Sequence, residues 1–236
     1  MKAIILSTSK FKEKDGIIDA ISEKGYITFK AHGILDPKNK NAAINMPLVE
    51  ADLTFSDKSK TSNMILKESK VLHVPLKASI DLEYLSYLSL LGEVTKTLLS
   101  DSEKGEIYKD LHQVILAYKK QEDKKLIILK YLSVIFAHSG FALNVNECIR
   151  CGSKTDIVMF SFIEGGFICR NCLDKEDVME LSKDQMLLLR KIVNYDNYDF
   201  SNWKVDENDS KYLLHKFFEF IYNSYGYKVK SLDAIN

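Results

Sequence analysis

The four cysteines of the chain fall within 25 residues, as Cys148-Ile149-Arg150-Cys151 and Cys169-Arg170-Asn171-Cys172. Seventeen residues separate the pairs, a spacing that suits a four-thiolate zinc site. Zinc is tetrahedral and borderline-soft, so two short thiolate pairs close around it without strain. Gly152, directly after the first pair, supplies backbone freedom where such a knuckle often needs a positive φ. A redox Cys-x-x-Cys would stand singly beside a βαβ pattern, and two disulfides would suit a small secreted domain; this chain is neither. Cys148, Cys151, Cys169 and Cys172 are therefore read as the ligands of one structural zinc, because four thiolates leave no open coordination position. Reduced, metal-bound cysteines point to the cytosol.

The remaining function must come from the rest of the 236 residues. Thirty-three basic residues balance thirty-three acidic ones, so a polyanion-binding surface would have to arise from local segregation of charge. Almost all cations are lysine. The arginines are Arg150, Arg170 and Arg190, and the first two lie between paired cysteines. The N-terminal apolar run is too short for a signal-peptide core. The longest apolar window, from Leu126 to Ala137, is interrupted by Lys130 and falls short of a membrane span, so no membrane partner is expected.

Residues 1 to about 75 read as short strands: Ala3–Ser7, Ile17–Ser22, Tyr26–His32, Leu48–Phe55 and Met64–His73. Five strands at this spacing suit a small barrel, of which an OB-fold is one solution. The third strand alternates, with Ile27, Phe29 and Ala31 expected inside and Tyr26, Thr28, Lys30 and His32 outside. An aromatic flanked by cations is the composition of a single-strand binding face. Lys10, Lys12 and Lys14 before the second strand, and Lys38 and Lys40 after the third, extend it. Asp15, Glu23, Asp36, Glu50 and Asp52 dilute it, and the plainer reading is that lysine-rich turns keep a small domain soluble.

The period then becomes helical. Ile80, Leu82, Leu85, Leu88, Leu91 and Val94 form one stripe; a second helix is expected across Ile107–Lys119, before the polar run 119–125. A third, apolar nearly all round, runs from Leu126 to about Ser139 and reads as a central helix. The segment 146–174 follows as a ribbon, with Glu164-Gly165-Gly166 turning a hairpin between Ile157–Phe162 and Phe167–Ile168. Helices beginning near Ser182 and Asn208 complete the chain and are expected to fold back on the 78–140 helices. The fold class is α+β: an OB-fold β-barrel (1–76), then an α-helical domain (77–236) with an inserted four-cysteine zinc ribbon.

Phosphate loops, nucleophile elbows and His-Glu-x-x-His are absent, so no enzyme chemistry is expected. This order of parts resembles the bacterial DNA repair and recombination mediator family RecO. Asp15-Gly16-Ile17 precedes Glu23-Lys24-Gly25, and Ala31-His32-Gly33 precedes Pro37-Lys38, both similar to family stretches. Gly140-Phe141 before Cys148, the Cys-x-x-Cys-Gly knuckle, Phe160-Ser161 with Gly165-Gly166 before Cys169, and Lys230-Ser231-Leu232 carry the resemblance further.

The resemblance implies a non-catalytic protein of the RecF recombination pathway. Such a protein binds and anneals single- and double-stranded DNA, engages the acidic C-terminal tail of single-stranded DNA-binding protein, joins RecR and helps load RecA. The DNA-contacting candidates are Lys10, Lys12, Lys14, Tyr26, Lys30, His32, Lys38 and Lys40, with Arg150 and Arg170 as candidate DNA or partner contacts. Lys124, Lys125 and Lys130 are candidate contacts for the peptide tail, beside the plainer reading of a solvated helix start. Gly16, His32, Leu35 and Asp36 stand where the family often carries basic residues, so weaker DNA binding is expected than the resemblance suggests. The alternative is a zinc-ribbon protein-interaction adaptor with little intrinsic DNA binding. A hydrolase or transferase with carboxylate chemistry has no motif behind it.

Overall fold

The structure, a computed structural model, describes residues 1–56, 64–75, 82–120 and 123–231. The boundary expected at 76/77 lies outside these residues, as do Ile80, Gln121, Glu122 and Leu232.

Five strands close into a barrel in the order β1-β2-β3-β5-β4, from β1 (Lys2–Lys10), β2 (Gly16–Ser22), β3 (Gly25–Ala31), β4 (Glu50–Phe55) and β5 (Met64–His73). All neighbours are antiparallel except β3 and β5, which pair in parallel at Phe29↔Met64 and Lys30↔Ile65. That closure, with a 3-10 turn at Ala42–Ile44 and β4 lying between the parallel partners in sequence, is OB-like. The expected alternation of β3 holds. Phe29 and Ala31 are buried, and Ile27 packs against the barrel core with Ile5, Ile18 and Val49. The two-pair junction of β3 with β5 completes the closed barrel.

Helix α1 (Leu82–Leu98) places Leu88, Leu91 and Val94 at 0% exposure, the stripe read from the period. It lies so close to β1 that a Cβ on Gly92 would sit 2.2 Å from the Leu6 carbonyl oxygen. Only glycine permits that approach. A single-turn α2 (Asp101–Lys104) and α3 (Tyr108–Lys120) follow. Two compact units result, one of residues 1–122 with 229–236 and one of residues 123–228, so α1 to α3 fall in the unit that contains the barrel.

In the second unit, Asp123 caps α4 (Lys124–His138) by accepting from the Lys125 and Leu126 amides. Ten residues of α4 are buried, as an all-round apolar helix requires. Phe136 meets Phe217 and Phe220 of α6 (Glu207–Tyr225) at 5.3 and 5.0 Å, and α5 (Lys183–Val193) starts at a capping box between Ser182 and Gln185. Between α4 and α5 lies the ribbon: β6 (Asn144–Cys148), β7 (Ile157–Ser161) and β8 (Gly166–Cys169), in the order β6-β8-β7. The β7–β8 hairpin is the one read from the sequence. β6 was not: Asn144-Val145-Asn146-Glu147 lacks a strand signal and is held by parallel pairing with β8.

Candidate functional site

The ribbon brings the four cysteines together. Cys148 ends β6, Cys169 ends β8, Cys151 lies in the knuckle, and Cys172 closes a 3-10 turn (Arg170–Cys172). Gly152 takes the positive φ expected of it, +74°, and its amide donates to the Cys148 carbonyl at 2.8 Å. All four sulfurs lie within 4.8 Å of one another, and Cys151 Sγ stands 3.7 Å from Cys169 Sγ. A disulfide needs about 2.05 Å. A tetrahedron with metal–sulfur bonds of about 2.3 Å needs sulfurs about 3.8 Å apart. The donor set thus fits a metal ion held by four thiolates and does not fit a disulfide. Burial pushes the Cys148 thiol up, but the backbone amides of Cys169, Arg150 and Cys151 outweigh it and bring the group to about 6. Met159 and Ile168 pack behind the cluster, with Ile157 and Leu173 at its flank.

Arg150 has a role that spacing alone does not reveal. Its guanidinium donates to both oxygens of Glu164 at the hairpin turn, to Asp174, to both oxygens of Asp177, and to the Cys172 carbonyl. This fork ties the first cysteine knuckle to the second and to the segment after it. Glu164 and Asp177 raise the Arg150 pKa further above its ordinary value, and Arg150 in turn holds the Asp177 carboxyl below the carboxylate range. Arg170 is more open, 66% exposed, with Asp156 at 3.3 Å.

On the barrel, the candidate cations gather around the β1–β2 loop, one of the loops by which OB-folds hold oligonucleotides. The Asp15 carbonyl accepts from the Phe11 amide at 3.0 Å, closing a tight loop. The Asp15 carboxylate accepts from the Gly33 amide at 2.9 Å and meets His32 Nδ1 at 2.9 Å, with Lys30 at 4.0 Å. The Gly33 amide first, then His32, holds this carboxyl below its ordinary range. Lys14 pairs with Asp36 at 2.9 Å. Lys10, Lys12, Lys38 and Lys40 are exposed.

Two aromatics of the barrel differ in their surroundings. Tyr26 donates its hydroxyl to Asp19 at 2.6 Å, and the Lys104 ammonium covers its ring at 4.3 Å, so hydroxyl and ring already have partners. Phe11, where the chain leaves β1 for the loop, is 48% exposed, with the Lys30 ammonium 4.4 Å and the Lys12 ammonium 6.0 Å from its ring centre. Its signal was available in Lys10-Phe11-Lys12, an aromatic between two cations in a loop.

Residues 80–233 match the family model described as "Recombination protein O C terminal", well over half of the chain. The chain belongs to the RecO family. It is similar along nearly its whole length to proteins named DNA repair protein RecO. The Oceanobacillus iheyensis protein is 25% identical over 238 residues, covering 99% of this chain and 91% of that one. The Exiguobacterium sp. protein is 25% identical over 237 residues (99% and 93%), and that of Syntrophomonas wolfei subsp. wolfei 25% over 192 (80% and 76%). Membership of RecO makes this a DNA repair and recombination protein.

The region matched to RecO contains the three lysines singled out on α4. Lys125 pairs with Glu207 at 2.9 Å. Lys130 is 7% exposed, and its ammonium reaches the Val193 carbonyl at 3.3 Å, where it faces the negative end of the α5 dipole. Lys124 is half-buried. Lys130 therefore takes part in helix packing. Among the described residues, no helix is long and apolar enough to cross a membrane.

Proposed function

We propose that this RecO-family chain binds single- and double-stranded DNA on its barrel and anneals complementary strands. In the same proposal it engages the acidic tail of single-stranded DNA-binding protein and RecR, helps load RecA at the cytoplasmic nucleoid, and catalyses no reaction. One structural zinc holds the ribbon through Cys148, Cys151, Cys169 and Cys172. The observation that carries the DNA-binding reading is the exposed Phe11 ring with Lys30 and Lys12 about it, on a loop closed by Asp15. A base stacks on such a ring while the ammonium groups meet the flanking phosphates. Lys10, Lys38 and Lys40 continue the cationic surface; Lys14 and His32 reach it through their pairs with Asp36 and Asp15.

Those pairs favour a second reading, a protein-interaction adaptor with little DNA affinity of its own, because Lys14, Lys30 and His32 already face carboxylates. A labelled single-stranded oligonucleotide, titrated at two salt concentrations against zinc-loaded protein, separates the two. Micromolar affinity that weakens with salt, at a slope of about −0.7 per phosphate neutralised, supports the DNA-binding reading. Absence of binding at low salt by folded, zinc-containing protein defeats it and moves the activity to the partners.

A further inference from the structure

A second convergence of metal-ligating side chains lies in the first unit, outside the loop face. Glu50 opens β4 and is paired across the ladder with His73, which ends β5. His112 comes from α3, one helical turn beyond Tyr108. Glu50 is 3% exposed. Its Oε2 lies 2.6 Å from His73 Nδ1 and 2.9 Å from His112 Nδ1, and its Oε1 accepts from the Tyr108 hydroxyl at 2.5 Å. The imidazoles meet edge to face at 5.2 Å.

Three features point beyond a hydrogen-bonded knot. First, both rings turn the same nitrogen toward one carboxylate oxygen, so three donor atoms from three elements lie within 4.8 Å of one another. Two imidazoles and a carboxylate form a ligand set for a divalent transition ion. Second, the other carboxylate oxygen is held by the Tyr108 hydroxyl, the outer hydrogen bond that orients a ligating carboxylate. Third, the histidine side chains are 36% and 34% exposed, which gives an ion and its water a way in. Burial pushes the Glu50 carboxyl up, but Tyr108 and the histidines hold it below its ordinary value, so a charged ligand oxygen is in place.

We propose that Glu50, His73 and His112 form a second metal site, exchangeable and of the zinc class, that ties α3 to the β4–β5 ladder. In the metal-free form, protons at Nδ1 fill the space between nitrogen and oxygen. An ion with bonds of about 2.0–2.1 Å replaces them and spreads the ligand atoms to about 3.3 Å, a shift of about 0.4 Å at His112 and about 0.7 Å at His73. The Nε2 atoms then carry the ring protons. Three protein ligands leave a position for water, so this site exchanges its ion more readily than the closed four-thiolate site.

The test uses full-length protein already holding one zinc at the cysteines, titrated with cobalt(II) while heat and visible absorption are recorded. The expected result is one saturable equivalent with weak ligand-field bands and no sulfur-to-cobalt charge transfer. His73→Gln and His112→Gln each abolish that equivalent at unchanged zinc content and circular dichroism, and Tyr108→Phe weakens it about 10- to 100-fold. Uptake that appears only with thiolate charge transfer, no uptake beyond the first zinc, or uptake undiminished in both histidine variants overturns the proposal.

Discussion

The Lys96 ammonium lies 2.5 Å from the Asp19 carboxylate, joining α1 to the barrel strand β2. Asp19 is 5% exposed and also accepts from the Tyr26 hydroxyl, the Thr28 hydroxyl at 2.8 Å and the Ser7 hydroxyl at 3.1 Å. Its partners come from β1, β3 and α1, so one carboxylate fixes three elements around β2. A buried charge is tolerated only where its lone pairs are filled, and here they are.

Removing that carboxylate strands its donors. Asp19→Ala is expected to cost about 1.5–3 kcal/mol in urea unfolding, the range for hydrogen bonds to a charged group. Lys96→Ala should cost less, since Lys96 is 41% exposed and three donors remain on Asp19. Burial raises the Asp19 carboxyl, but Lys96, Tyr26 and Thr28 prevail and hold it below the ordinary 3.8. The folded state therefore binds fewer protons than the unfolded one. The contribution is complete above about pH 4 and is lost as pH falls through the lower folded value. Urea midpoints of wild type and Asp19→Asn should converge below that point; a constant difference down to pH 2 would contradict the assignment.

Gly92→Ala should displace α1. The added Cβ would meet the Leu6 backbone oxygen at 2.2 Å, and a strand carbonyl inside a closed barrel cannot step aside as a flexible side chain could. Overpacking of this kind costs about 1–3 kcal/mol or more, outweighing the better helix propensity of alanine, worth about 1 kcal/mol. Thermal unfolding of the variant reads the sign directly; an unchanged or raised Tm contradicts the close approach.

Chelation should unfold the ribbon before anything else. Metal binding by four thiolates is itself folding free energy, so EDTA with a thiol-reactive trap should expose Cys148 and Cys169, which are 1% and 2% exposed. Arg150→Lys keeps the charge but loses the planar fork that spans Glu164, Asp177 and the Cys172 carbonyl. Faster zinc loss to a chromogenic chelator is expected from that variant, with Arg170→Lys close to wild type.

Phe11→Ala should weaken single-strand binding by about 1–3 kcal/mol, the worth of one stacked base, while leaving the salt slope unchanged. Lys30→Gln should instead lower the slope by about 0.7, one phosphate's share. Fluorescence anisotropy at several salt concentrations distinguishes the two effects. Tyr26→Phe, by contrast, should reduce stability through Asp19 more than DNA affinity.

Much of this was legible in the residues. The five barrel strands and the five longer helices follow from local periods, because a two-residue or 3.6-residue repeat is written in neighbours along the chain. Ser182 and Gly152 announced a helix start and a knuckle by the same local chemistry. β6 did not announce itself, since a short polar strand owes its pairing to a partner about twenty residues away at β8. Asp15 and Glu50, read along the chain as acids diluting a basic face, are an organiser of the β1–β2 loop and a buried anchor for α3.

The paired cysteines, the order of the parts, most of the secondary structure and the family resemblance are all carried by spacing and period along the chain. Which charges meet is settled by the packing in three dimensions. Lys96 finds Asp19 77 residues away, and His112 finds Glu50 at a distance of 62. Phe11 is left 48% exposed beside the Lys30 ammonium, while Tyr26 is half-buried with its hydroxyl held by Asp19. Periodicity is a property of adjacent residues, whereas ion pairing and exposure depend on which surfaces fold against each other, and no local pattern encodes that.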